Sequence, residues 1–290
     1  MKTRKALTLG VIGALAVGTL GLVGCGSAAP TSTTTPTTGA TLTGALTVAG
    51  SDTMVNMAQA WADGFSKANP GVQLAVKGGG SGTGIAALIN GTVDFADASR
   101  EMKPEEIDQA QAKGIDPVLT QVARDGVAIV VNPANKVENL TLDQLGKIYL
   151  GTITNWKDVG GADAPITLVS RDPSSGTYEF MTSEALKGGK FAKSAKLLGS
   201  TQAIVDEVKA DANAIGYIGV GYESADVKVI GVDGIKASVS TVKDETYPLW
   251  RFLNMYSNGQ PKGAGKAYID WILGADGQKV VTDQGFVTVK

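Results

Sequence analysis

The 290-residue chain contains no histidine and a single cysteine, Cys25. Without imidazole there can be no Ser-His-Asp or Cys-His nucleophile arrangement and no zinc site built on histidine. One cysteine excludes an intramolecular disulfide. Aromatic residues make up only 6% and charged residues 19%, and the basic side chains form no stripe, so nucleic acid is not an expected partner. No cluster of metal-ligating side chains stands out either, and neither a metal nor a cofactor is expected. What remains ample is apolar content, 43%, and 38 glycines. That is enough for a packed core in one large or two medium domains.

The N-terminus accounts for the cysteine. Lys2, Arg4 and Lys5 precede an uncharged run from Ala6 to Val23, which ends at Leu22-Val23-Gly24-Cys25. That ending resembles the bacterial lipobox. Residues 1–24 are expected to be a lipoprotein signal peptide and Cys25 the lipidated residue, with an uncleaved anchor as the alternative. Either way the body of the protein is expected outside the cytoplasmic membrane. Cleavage would leave 23 basic against 28 acidic residues. An anion would then have to be held by local dipoles and a few arginines, because the overall field opposes it. Residues 26–43, rich in Thr, Ser, Ala and Pro, cannot bury a core and read as a flexible tether within a segment 25–44.

From Ala45 onward strand and helix patterns alternate. Strands are predicted at Leu46–Ala49, Val72–Val76, Val93–Ala96, Gly126–Val131, Ile166–Val169, Gly216–Val220 and Leu249–Tyr256. Helices are predicted at Met54–Phe65, Ile85–Ile89, Pro104–Ala112, Leu142–Tyr149, Tyr178–Leu186, Ala203–Ala210, Gly265–Leu273 and Gly277–Asp283. Thr141-Leu142-Asp143-Gln144 is a capping box. Repeated strand–helix units argue an α/β fold with mostly parallel sheets. Tyr149, Trp156 and Trp250 are read as core.

Three strand-to-helix junctions concentrate hydroxyls and glycines: Gly50-Ser51-Asp52-Thr53, the loop Gly78 to Gly84 around Ser81 and Gly82, and Ser170 to Thr177 with Arg171, Ser175, Gly176 and Thr177. At a helix N-terminus the first N–H groups lack intrahelical partners and the dipole favours negative charge, so such junctions suit an oxoanion. Ordinary N-capping explains the same residues individually. The glycine loop fits neither the dinucleotide fingerprint nor the P-loop pattern. Arg100 could reach the same crevice or pair on the surface with Glu101 or Glu105. Asp125 could serve the site or simply be a turn carboxylate.

Taken in order, these junctions, together with Gly91-Thr92-Val93-Asp94-Phe95 and the segment Leu140 to Trp156, resemble the phosphate-binding (PstS-type) solute receptors of ABC importers. The resemblance spans about Leu46 to Val289. It implies a two-lobed, type II periplasmic-binding-protein fold with two crossover segments, near Val122 to Arg124 and Thr246 to Leu249. Lobe I would comprise 45–123 plus 247–290, and lobe II 124–246. It further implies inorganic phosphate held by residues matching Asp52, Thr53 and Ser81 on one lobe and Arg171, Ser175, Gly176 and Thr177 on the other. Partnership with membrane permease subunits, a monomeric state and the absence of catalysis are also implied. Some relatives carry an aspartate where this chain has Arg100, and that aspartate accepts the phosphate proton. Here Asp52 and Asp125 are the candidates for that role, and sulfate is the alternative ligand. A secreted phosphate-ester hydrolase, or a surface sensor or adhesin, is the alternative from a different class.

Overall fold

The computed structural model describes residues 42–289. The signal segment 1–24, Cys25 and all but the end of the tether lie outside the described residues. Among those described, no helix is long and apolar enough to cross a membrane.

The chain opens with β1 (Gly44–Gly50), α1 (Val55–Ala68), β2 (Val72–Lys77), α2 (Ser81–Ile89), β3 (Phe95–Ala98) and α3 (Pro104–Ala112). α1 forms where apolar residues recur at helical spacing, and it buries Met57, Ala58, Trp61, Ala62 and Phe65 on one face. α3 begins at a proline, whose missing N–H costs nothing in a first turn. A long strand, β4 (Pro117–Val131), leads to β5 (Asn139–Leu140) and α4 (Leu142–Tyr149). The Thr141 hydroxyl accepts from Gln144 N at 3.1 Å and the Gln144 side chain receives Thr141 N at 2.9 Å, completing the capping box. Then follow β6 (Thr167–Arg171), α5 (Gly176–Glu184), β7 (Lys196–Leu198), α6 (Thr201–Ala210), β8 (Ala214–Gly219), β9 (Lys228–Val232) and α7 (Val239–Lys243). The chain closes with β10 (Trp250–Asn258), α8 (Gly263–Ile272) and α9 (Ala275–Asp283).

The strands follow the order β2-β1-β3-β10-β4-β8-β6-β7, with β9 pairing β4 and β5. The flanks are parallel: β2 with β1, β1 with β3, β8 with β6, β6 with β7. The centre is antiparallel, because β10 runs against both β3 and β4, and β4 runs against β8 and β9. The expectation of mostly parallel sheets therefore holds only for the strand–helix repeats. The two strands that link the halves of the path run against their neighbours. β4 pairs β10 from Pro117 to Gly126 and then β8 from Val127 to Val131. The change of partner thus falls beside Asp125. A register shift between Leu253, opposite Ala123, and Asn254, opposite Gln121, leaves Val122 as the extra residue of a bulge in β4.

After β10 the chain returns to the first half. Trp61 Nε1 donates to Gly277 O in α9 at 2.8 Å, and the Phe65 and Tyr268 rings meet edge to face at 5.2 Å. Tyr149 and Trp156 are buried, as read from the sequence, whereas Trp250 is only partly covered.

Candidate oxoanion site

The three hydroxyl-glycine junctions lie hundreds of atoms apart along the chain, and the fold brings them together. The first follows β1 and leads into α1, the second follows β2 and opens α2, and the third follows β6 and opens α5. Gly80 N donates to Gly50 O at 2.9 Å, joining the first two. Gly82 N donates to Ser174 O at 2.9 Å, joining the second to the third. Gly80 has φ +96°, and a Cβ there would lie 2.6 Å from Ser174 O, so only glycine permits this approach.

At the centre, Thr53 Oγ1 and Thr177 Oγ1 are hydrogen-bonded at 2.9 Å across the two halves of the strand path, and both residues are buried. Ser81 Oγ accepts from Ser99 N at 3.0 Å and lies 3.3 Å from Ser99 Oγ. A Cβ added at Gly176 would fall 2.3 Å from Ser81 Oγ and 2.7 Å from Ser99 Oγ. The N-terminus of α5 thus faces Ser81 and Ser99 with nothing bulkier than hydrogen between. Ser175 is the N-cap of α5, its Oγ accepting from Thr177 N at 3.2 Å and Tyr178 N at 3.4 Å. The Ser51 hydroxyl is buried without a hydrogen-bond partner among the described residues. Such a hydroxyl carries a desolvation cost that a polar ligand would relieve.

Arg171 is 1% exposed. Its guanidinium donates to Leu198 O, Gly199 O and Thr201 Oγ1 at 2.9–3.2 Å and pairs with Asp52 Oδ2 at 3.3 Å. Asp52 Oδ2 also receives Thr201 N at 2.5 Å, at the start of α6. The Asp52 carboxylate therefore bridges from the first junction to Arg171 and α6. Asp125, fully buried, accepts Val220 N on Oδ1 at 3.1 Å and Arg251 on Oδ2 at 2.7 and 3.0 Å. Burial pushes the Asp125 carboxyl upward and the Arg251 guanidinium downward, and their ion pair works against both shifts. Both carboxylates considered as proton acceptors are thus already engaged by an arginine.

Arg100 lies beside Gly82, its Nη2 3.8 Å from where a Cβ on that glycine would stand, but its fork is turned to α3. It forms a two-pronged pair with Glu106 at 2.7 Å for each contact and donates to Glu101 O at 2.8 Å. Burial disfavours the Glu106 charge, but Arg100 and the Lys103 backbone outweigh it and hold the carboxyl below its usual range. The partner is neither Glu105 nor the Glu101 carboxylate. Glu106 at the third position of α3 also accepts Lys103 N, so one carboxylate caps the helix and fixes the arginine.

Two contributors escaped the sequence reading. Ser99 directly follows β3, before Arg100, and Arg251 lies in the apolar run Leu249–Tyr256. A lone charge inside a predicted core strand was the available signal for Arg251, since an unpaired guanidinium could not be buried there.

The PBP superfamily domain matches residues 32–276. The phosphate-binding protein PstS of Bacillus subtilis is 36% identical over 249 residues, covering 85% of this chain and 81% of that protein. The chain belongs to the PstS family. A protein from Clostridium perfringens, described as a phosphate ABC transporter substrate-binding protein and crystallised with bound phosphate, matches with a TM-score of 0.80 and 32% identity, over 85% of this chain and all of that one. An ABC-type phosphate transport receptor from Vibrio cholerae matches with a TM-score of 0.71 and 30% identity, over 84% of this chain and 99% of that chain. The α/β class agrees with the strand–helix pattern, and the periplasmic-binding-protein fold is the one the family resemblance implied.

Proposed function

We propose that this protein is an extracytoplasmic solute receptor that captures inorganic phosphate and delivers it to the permease of an ABC importer, with no catalytic step. The observation that carries this reading is the meeting of the α5 N-terminus, through Gly176 and Thr177, with Ser81, Ser99 and Thr53 from the other half of the strand path. A small tetrahedral oxoanion there would receive hydroxyl and backbone donors from both sides, near the positive end of a helix dipole. Such a ligand favours the geometry in which both sides reach it, so occupancy and closure become linked. The binding set is Ser51, Asp52, Thr53, Ser81, Gly82, Arg171, Ser175, Gly176 and Thr177. Arg100 and Asp125 stand behind it through their ion pairs.

In this reading 45–123 plus 247–290 form one lobe and 124–246 the other, with crossings near Val122 to Arg124 within β4 and near Thr246 to Leu249, just before β10. A diacylglycerol on Cys25 would hold the monomer near the permease. Phosphate still carries a proton and can donate, whereas sulfate cannot, and selectivity depends on a free acceptor. The names of the relatives support phosphate.

Isothermal titration of the purified protein with phosphate, arsenate and sulfate tests the proposal. Heat with phosphate and arsenate is expected. Heat with sulfate and none with phosphate would overturn the assignment in favour of another oxoanion receptor.

A further inference from the structure

Arg251 stands on β10 directly opposite Asp125 on β4 and is 5% exposed. Its Nε and Nη2 both donate to Asp125 Oδ2. Nη1 donates to the carbonyl of Ser99 at 3.0 Å, and Nη2 also donates to Thr177 Oγ1 at 2.9 Å. The Phe180 ring covers the guanidinium at 5.2 Å. One side chain thus links the two crossing strands, the end of β3 and the first turn of α5.

A guanidinium has donors only. Toward Arg251, therefore, Thr177 Oγ1 must accept, and its single proton is left to point elsewhere. In this structure the neighbour on that side is Thr53 Oγ1. We propose that Arg251, held in place by Asp125, is a positioning residue of the oxoanion site that fixes the Thr177 hydroxyl as a donor to the bound anion. The inference rests on the phosphate-receptor reading given above. A hydroxyl that accepts from a cation is polarised and donates more strongly, and an anion rewards that donation more than water does. Asp125 serves here as the counter-charge that orients Arg251. Without it a buried guanidinium would be unpaired, and without Arg251 a buried carboxylate would be.

The test is a double-mutant cycle read by phosphate titration, with thermal unfolding followed in parallel. Arg251→Lys keeps a cation beside Asp125 but offers a single nitrogen in place of the fork whose Nε, Nη1 and Nη2 reach Asp125, Ser99 O and Thr177 from separate positions. It is expected to weaken phosphate binding about tenfold or more, the scale of one charge-assisted hydrogen bond. Thr177→Val is expected to cost at least as much. The double variant should bind within about threefold of Thr177→Val alone, because the hydroxyl through which Arg251 acts is gone. Additive losses overturn the inference, as does wild-type affinity in a folded Arg251→Lys protein. If Arg251→Lys does not fold, the charge-free pair Asp125→Asn with Arg251→Gln takes its place in the cycle and is read in the same way. A wild-type protein that does not bind phosphate overturns the receptor reading and this inference with it, whereas phosphate binding with additive losses overturns this inference alone.

Discussion

Gly176→Ala probes the meeting of the two halves most directly. The new methyl would start 2.3 Å from Ser81 Oγ, 2.7 Å from Ser99 Oγ and 3.0 Å from Ser81 Cβ. Reaching an ordinary contact of 3.4 Å requires about 1.1 Å of separation. Rotation of the Ser81 hydroxyl cannot supply it cheaply, because that oxygen accepts Ser99 N and the Ser81 Cβ is itself in the way. The α5 N-terminus must therefore back away. A hydrogen bond of ordinary length stretched by about 1 Å is no longer one. Losing two donors to a charged ligand, at about 1.5–3 kcal/mol each, gives about 3 kcal/mol or more, a weakening of at least about 150-fold. Overpacking should cost the unliganded protein only about 1–3 kcal/mol. Gly82→Ala supplies the graded comparison, since its Cβ would meet Ser174 O at 3.3 Å and needs only a few tenths of an ångström. Calorimetric titration of the two variants beside thermal unfolding is the assay. Wild-type phosphate affinity in Gly176→Ala, or a larger loss in Gly82→Ala, would refute the closeness of α5 to Ser81 in the binding form.

Arg171→Ala should weaken phosphate binding by about 2–5 kcal/mol, the range for breaking a buried charged pair, and titration would register it. Arg100→Ala should leave affinity within about threefold while lowering the unfolding temperature, because its guanidinium is given to Glu106. The Glu106 carboxyl is held below its usual range, so its contribution is present above the unfolded value of about 4.5 and lost as pH falls through the folded value. The stability difference between Arg100→Ala and wild type should accordingly shrink in acid unfolding scans. Asp97 is buried on β3 with Oδ1 lacking a hydrogen-bond partner among the described residues, and burial pushes its pKa up to about 8. Folding therefore favours its protonated form, and stability falls as pH rises from about 4 to 8. Asp97→Asn should stabilise the protein at pH 8 by on the order of a few kcal/mol, a gain that fades toward pH 4 in denaturant titrations.

Local signals were legible where the physics is local. α3 begins at Pro104 and α4 at the Thr141 box because proline and capping residues fix helix starts within three or four residues. α2 starts at Ser81, four residues before the apolar periodicity begins, because glycines that read as loop serve as its cap and first turn. β4 extends back to Pro117, nine residues before its apolar run. Gln121 and Arg124 interrupt the apolar pattern there, and pairing with β10 supplies what the pattern does not. β5, β7 and β9 are short strands set by pairing with partners distant in sequence. The hydroxyls of the site were readable from their junctions, and Arg251 was hidden because its reason for being buried, Asp125, lies 126 residues away.

The direct bonds across the cleft bear on how cargo is let go. Thr53 with Thr177 would give way to a guest, whereas Gly82 N to Ser174 O and Thr201 N to Asp52 Oδ2 tie residues of the binding set to neighbours that a small ion need not touch. They act as a clasp whose strength does not depend on what is inside. Under the proposed function, unloading would have to break these bonds as well as the ion's own contacts, so mutations at Ser174 or Thr201 would tune release more than capture.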